Sequence, residues 1–272
     1  MKTVVVTGSF NNIKSQEVRF LQEAAKFGEL TVFLWTDSLF EEFEGRKPQF
    51  PQEERLYFVE SIRFVQQGIL VNEVKSRDEL PKNKGVKPDV WVVIEKEDSP
   101  EKRHFCEIHK IQYSIVKEKD LAGFPIVPFK EIYDSSHKKV IVTGSFDWLH
   151  TGHIRFFEET SELGDLFVVV GHDQNLLLLK GEGHPLFSEN ERLYMVQSIR
   201  FVKQALISTG HGWMDAEPEI EKIKPDIYVV NEDGDVPDKR EFCRRHGLQY
   251  LVLKRTPKPG LKPRQSTSLR GF

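Results

Sequence analysis

"VIVTGSF", residues 140–146, repeats almost unchanged the "VVVTGSF" of residues 4–10, and this recurrence decides the architecture. Two further stretches return with it. "RLYFVESIRFVQQ" (55–67) comes back as "RLYMVQSIRFVKQ" (192–204), ten of thirteen positions being the same, and "KPDVWVV" (87–93) as "KPDIYVV" (224–230). A period of this length reads as a duplicated domain. The joint is expected near "PIVPFKEIYDSSHKK", residues 125–139, where Pro, Ser and charged residues interrupt the pattern, giving domains 1–135 and 136–272.

Within each copy, short β-branched runs alternate with longer amphipathic ones. In the second copy the expected order is a strand at Val140–Thr143, a helix from about Gly152, a strand at "LFVVVG" and a helix at "SENERLYMVQSIRFV". A strand at "DIYVV", a helix at "PDKREFCRRHG" and a strand at "YLVL" follow. Strands this apolar need both faces covered, so each half is expected to be a parallel sheet flanked by helices, a small doubly wound α/β domain. Such sheets bind ligands beyond the carboxyl ends of their strands.

Composition narrows the partners. The 272 residues carry 39 basic and 42 acidic side chains, a formal charge of −3, which offers no general field for nucleic acid or an anionic membrane. Any anion has to be held locally. The N-terminal apolar run is too short for a signal peptide and no stretch is long enough to span a bilayer, so a cytoplasmic protein is expected. Cys106 and Cys243 fall in matching contexts, "RHFCEIH" and "REFCRRH", and read as free thiols at one repeated position.

The stretch "GSFDWLHTGHIRF" (144–156) lies where the first strand of the second copy hands over to its first helix. Gly144 and Ser145 permit a tight turn, and a helix starting near Thr151 or Gly152 turns unpaired N–H groups outward, where phosphate is attracted. His150 and His153 flank that end. Gly152 lets a ligand approach the backbone closely, so both imidazoles can donate to one anion. The structural alternative is that one histidine caps the helix and the other packs. A metal site would need more ligands, for which His172 and Asp173 are the nearest candidates, and the spacing is not that of a familiar zinc motif.

These residues resemble the His-x-Gly-His motif of the cytidylyltransferase-like nucleotidyltransferases. That family includes choline-, ethanolamine- and glycerol-phosphate cytidylyltransferases and related adenylyltransferases. "LLKGEGHPLFSENERLYMVQSIRFV" is similar to the family's Lys-Gly segment and Glu-Arg helix, and "KRTPKPGLKPRQSTSLR" to its C-terminal Arg-Thr and Ser-Thr-Ser signature, so the likeness covers nearly all of residues 140–270. The resemblance implies two tandem Rossmann-like nucleotidyltransferase domains. It further implies transfer of CMP from CTP to a phosphorylated small alcohol or sugar, with Mg2+ and release of pyrophosphate; the alternative is an adenylyltransferase using ATP on a sugar phosphate or a cofactor-precursor phosphate. A third reading, from another class, is a non-catalytic nucleotide-binding regulator.

Carried over residue by residue, the resemblance makes His150 and His153 the holders of the triphosphate, stabilising charge on the α-phosphate and the leaving pyrophosphate. Lys180 becomes the cation in a loop after four leucines that brings the two anionic substrates together. The junction residues Gly144, Ser145, Phe146, Asp147 and Gly152 surround the nucleotide, Asp147 serving equally well as a turn residue. Arg192 sits on a helix with Ser188 as N-cap and Glu191 at its third position, and is either a nucleotide contact or a structural ion pair. Asn231, Glu232 and Asp233 follow the fourth strand, where they can read the nucleotide or hold magnesium through water. Ser266, Thr267 and Ser268, with Arg255, Arg264 and Arg270, are placed to bind the β- and γ-phosphates.

The first copy serves as a control. It has Lys14 where His150 stands, Gln16 for Gly152, Glu17 for His153 and Glu44 for Lys180. That half is expected to be a degenerate, non-catalytic domain completing an intramolecular pseudo-dimer, with further homo-oligomerisation open.

Overall fold

The computed structural model describes residues 1–82, 85–125, 127–128, 136–265 and 269. It divides into two compact units, Met1–Gly123 and Phe124–Phe272. Most of the expected joint at 125–139 lies outside the described residues.

The first unit runs β1 (Thr3–Gly8), α1 (Ser15–Ala24), β2 (Glu29–Trp35), α2 (Asp37–Glu44), α3 (Gln52–Ser61), β3 (Gln67–Val71), β4 (Val90–Ile94), α4 (Pro100–His109) and β5 (Gln112–Val116). Its strands form one parallel sheet in the order β3-β2-β1-β4-β5. The second unit runs β6 (Lys139–Gly144), α5 (Thr151–Ser161), β7 (Asp165–Val170), α6 (Asp173–Lys180), α7 (Glu189–Gln197), β8 (Gln204–Ile207), α8 (Glu217–Ile223), β9 (Ile227–Asn231), α9 (Pro237–His246) and β10 (Gln249–Leu253). Its order, β10-β9-β6-β7-β8, is that of the first sheet read from the other edge. Both are the parallel, helix-flanked sheets expected from the apolar strands.

Burial explains the strand composition. Val140, Ile141 and Val142 of β6 are fully buried, as are Val4, Val5 and Val6 of β1, because helices cover both faces. In the second unit, one face packs Ile141, Phe167, Val169, Tyr228 and Val230 against Ile220, Phe242 and Cys243. Cys106 and Cys243 are free and buried, and burial pushes both thiols up to about 11.

Three local differences from the sequence reading bear on function. The helix expected over 188–202 ends at Gln197, and Ile199 and Val202 are buried as the chain turns into β8, an edge strand whose four residues follow too closely to stand out by periodicity. Helix α8 is likewise additional. Lys180 is the last residue of α6 and not part of a loop: His172 caps that helix by accepting from the Asn175 N–H at 3.2 Å, and Gly181, at φ +81°, ends it. A run of leucines carries no strand alternation, and good helix formers between two caps make a helix.

Candidate functional site at the β6–α5 junction

The chain climbs β6, turns outward through β7 and β8, then returns to the other side of β6 as β9 and β10. This reversal opens a crevice at the carboxyl ends of β6 and β9, the place where open α/β sheets bind ligands. Residues 144–153 fill its rim.

The turn is strained and braced. Phe146 has φ +48°, uncommon for a bulky side chain, and its ring lies so close to Gly144 that a Cβ there would sit 2.9 Å from Phe146 Cζ. Arg192, 1 % exposed, braces the turn from below. Its Nη1 donates to the Ser145 carbonyl at 2.7 Å, its Nε to the Phe187 carbonyl at 2.9 Å, and its Nη2 to Asp173 Oδ1 at 2.7 Å. The guanidinium is thus committed inside the protein. Asp147, also buried, accepts through Oδ1 from the Leu186 and Phe187 N–H groups at 2.7 and 3.2 Å, and its Oδ2 stands 3.5 Å from His184 Nδ1.

His150 satisfies the structural and the functional reading with different atoms. Its Nδ1 accepts from the Gly152 N–H at 3.1 Å, capping α5, while its buried Nε2 has no hydrogen-bond partner. With Nδ1 accepting, a neutral ring carries its proton on Nε2, so the unpartnered atom is a donor. Burial, with Arg255 and Arg264 adding positive charge nearby, pushes His150 down to about 3. His153 stacks on it, ring centroids 3.9 Å apart, and meets the edge of Phe146 at 5.4 Å. Its Nδ1 is likewise buried without a partner, and burial followed by the neighbouring imidazole holds it well below the ordinary histidine range. The neutral His150 therefore presents an orphaned donor beside a helix N-terminus, which favours an anionic ligand, while His153, its ring N–H bonded to the Trp148 backbone, leaves an unprotonated Nδ1 without a partner.

The remaining candidates divide by flank. On the β9–β10 side, Thr151, Gly152, Asn231, Arg255 and Arg264 line one open pocket of about 420 Å3, into which Lys254 and Lys258 also reach. A Cβ on Gly152 would come within 2.9 Å of the His150 ring and 3.3 Å of the Arg264 carbonyl, so the glycine allows both to close in. Arg255 donates to Asp233 Oδ2 at 2.5 Å and to the Arg264 carbonyl at 3.0 Å, tying the C-terminal segment to the turn that holds Glu232 and Asp233. On the β7 side, Lys180 Nζ donates to Ser145 Oγ at 2.8 Å. Ser266, Thr267, Ser268 and Arg270 lie outside the described residues.

Sequence reasoning passed over Lys254 and Lys258, whose signal was their density after the last strand, and the hydrogen-bond network around His172. That imidazole Nε2 lies 2.9 Å from the Gly210 carbonyl and its Nδ1 caps α6, so it is spent structurally, as Asp173 is on Arg192. Among the described residues no three His, Cys, Asp or Glu side chains gather as a metal-ligand set. No helix among them is long and apolar enough to cross a membrane.

Residues 141–257 match the cytidylyltransferase-like family. An FAD synthase of Ferroglobus placidus is 35 % identical over 120 residues, which are 43 % of this chain and 75 % of that protein. The chain belongs to this family of nucleotidyltransferases. The FAD synthase of Aciduliprofundum boonei is 37 % identical over 119 residues, 43 % of this chain and 76 % of that enzyme. The lipopolysaccharide core biosynthesis protein from Thermoplasma volcanium aligns with 45 % of this chain and 99 % of its own, at 28 % identity and a TM-score of 0.38. The nucleotidyltransferase match thus falls on the second unit, which holds the imidazole pair.

Proposed function

We propose that the second unit is an adenylyltransferase: an acceptor phosphate oxygen attacks the α-phosphorus of ATP, the bond to the β-phosphate oxygen breaks, and pyrophosphate leaves. The motifs alone suggest CTP and a small alcohol or sugar phosphate. Relatives named FAD synthase, 35 and 37 % identical over 120 and 119 residues, favour ATP and make FMN the first acceptor to try.

The observation that carries the reaction type is the stacked imidazole pair with its unpartnered buried nitrogens. Neutral at physiological pH, His150 donates from Nε2 to an oxygen where charge develops and does not lose its proton, with His153 stacked beside it; the gain is electrostatic and the donor is held in place beforehand. Arg255 and Arg264 add the positive field already felt by His150. Lys180 holds the two anionic substrates together from the other flank, and Arg192 positions the Ser145 turn without touching nucleotide. The described carboxylates do not fit a protein-held magnesium, since Asp147 serves backbone amides and Asp233 pairs with Arg255; a Mg2+ would enter on the triphosphate oxygens.

The first unit is proposed to lack this chemistry. The test is pyrophosphate release with ATP and CTP crossed against FMN, glycerol 3-phosphate and sugar phosphates. ATP with FMN is expected to turn over fastest, and His150→Ala to slow it about a hundredfold or more. His150→Asn, which retains a capping oxygen, guards against loss of the helix end. Faster turnover with CTP, or full activity in both variants, overturns the proposal.

A further inference from the structure

The first unit has no imidazole pair at its junction, yet it keeps a cavity there. At the carboxyl ends of β1 and β4, where open α/β sheets take ligands, the turn after β1, the start of α1 and the turns after α2 and β4 leave room of about 300 Å3. A small molecule fits such a space. The charged side chains described in its wall are Glu17, Arg46, Lys96 and Glu97, and the amides of Asn12 and Gln16 stand among them.

These charges are not the remains of the other unit's site. Matching the repeats puts Glu17 in the place of His153, Arg46 in that of Glu182, Lys96 in that of Asp233 and Glu97 in that of Gly234. All four positions differ in charge from their counterparts, and at two of them the sign is reversed. A site that had merely decayed would show groups lost; this wall shows charges of both signs put in, two acidic and two basic.

Each segment that carries a charge is held in place. Glu17 is oriented by accepting from the Lys14 N–H. The Arg46 guanidinium lies over the Phe40 ring, 5.4 Å from its centroid, and the stretch beyond it is tied to the turn after β1, where Asn11 Oδ1 accepts from the Gln49 N–H at 2.6 Å. Lys102 fixes the turn after β4 by donating to the Glu97 carbonyl at 2.9 Å and to Asp78 Oδ1 at 3.0 Å. Burial raises the Glu97 carboxyl above its ordinary range, and the charge of Glu17 adds to the rise against the pull of Lys102, Lys96 and Arg77. The two carboxylates thus feel each other, and a positive group between them relieves the repulsion. Sheet order puts Arg46 on the β2 flank of β1 and Glu97 on the β4 flank, so the crevice offers an acidic end and a basic end.

We propose that this crevice binds a small zwitterion of the amino-acid type, its ammonium held between Glu17 and Glu97 and its carboxylate by Arg46. Two acidic and two basic groups balance a ligand that carries both signs and no net charge. A triphosphate would set its charges against Glu17 and Glu97, and a simple cation would leave Arg46 unanswered. The site lies wholly within residues 7–97 and stands whether or not the second unit transfers adenylyl groups.

The experiment is titration calorimetry on the full chain, with the twenty amino acids and 4-aminobutanoate added singly, and with putrescine as a cation-only and butanoate as an anion-only probe. At least one amino acid is expected to bind with a Kd below about 1 mM, and putrescine and butanoate at least tenfold more weakly. Glu97→Gln and Arg46→Gln, which keep the shape of the wall and remove one charge each, are expected to raise that Kd about tenfold or more. Saturating ATP is expected to leave it unchanged. Binding by none of the zwitterions overturns the proposal, as does putrescine or butanoate binding as tightly as the best of them. A change below about twofold in either variant also overturns it, and displacement by ATP would assign the zwitterion to the nucleotide site of the second unit instead.

Discussion

The two β-to-α junctions, Gly8–Glu17 and Gly144–His153, share their scaffold in detail and differ at the positions where a phosphate would bind. Phe10 has φ +44° as Phe146 has +48°. Arg55 donates to the Ser9, Phe50 and Asp37 oxygens as Arg192 does to those of Ser145, Phe187 and Asp173. A strained turn braced by a buried arginine is therefore a property of this fold, independent of catalysis. At the helix start the two part company. In the first unit Glu17 Oε2 accepts from the Lys14 N–H at 3.0 Å, so the protein's own carboxylate takes a place suited to an anion. In the second the ring of His150 makes the cap and leaves a buried donor without a partner. The first unit keeps an open crevice at the ends of β1 and β4, but Glu17 and Glu97 stand in its wall with Arg46 and Lys96. The same architecture is thus retained while the groups at the helix start differ, a carboxylate in the first unit and two imidazoles in the second.

The largest expected effect tests the shared part. Arg55→Ala and Arg192→Ala each remove a buried guanidinium with three partners, and each is expected to cost about 3 kcal/mol in denaturant unfolding. Turnover should suffer only from Arg192→Ala. If that variant instead weakened ATP binding at unchanged stability, the arginine would be a nucleotide contact and the parallel would break.

A smaller effect separates the two junctions by pH. Folded His150 titrates near 3, against about 6.5 for an unfolded histidine, so between these values the unfolded chain binds a proton that the folded chain refuses. Stability from this residue is full above about pH 6.5 and falls as acid is added, by at most about 1.4 kcal/mol per pH unit. Unfolding measured between pH 6.5 and 5 should be less acid-sensitive in His150→Asn than in wild type; an identical slope would mean the ring is not held neutral.

The smallest effect concerns the self-made anion. Glu17→Ala should lower stability by about 1 kcal/mol through the lost cap bond. It should not create a second ATP site, because the first unit has Lys14 and Glu17 at its junction in place of the two imidazoles and Glu44 in place of Lys180. Two equivalents of ATP bound in equilibrium dialysis would show that the carboxylate alone had kept the first unit silent.

The fold was largely legible because burial on two faces forces Val-rich runs such as "VVVTG" and "VIVTG", and their recurrence exposes the order of elements. What escaped were short or featureless pieces: β8, whose four residues follow directly on the turn after α7, and α6, whose leucines carry no alternation. The junction itself was legible because turn glycines, a strand end and paired histidines lie within ten residues. Arg192 was ambiguous because its decisive partner, the Ser145 carbonyl, is 47 residues away. The first unit's crevice drew no notice because its charged wall is assembled from Glu17, Arg46, Lys96 and Glu97, which lie on three separate segments.

By itself, the sequence determined the parallel α/β architecture and singled out residues 144–153 as the junction between its first strand and first helix in the second unit, since hydrophobic period and local motif are properties of neighbouring residues. Tertiary structure decided which atom of His150 caps and which remains free, committed Arg192 to the turn, and gathered a basic pocket in the second unit and a wall of mixed charge in the first. Those outcomes depend on burial and on partners distant in the chain, which only the folded arrangement of strands brings together.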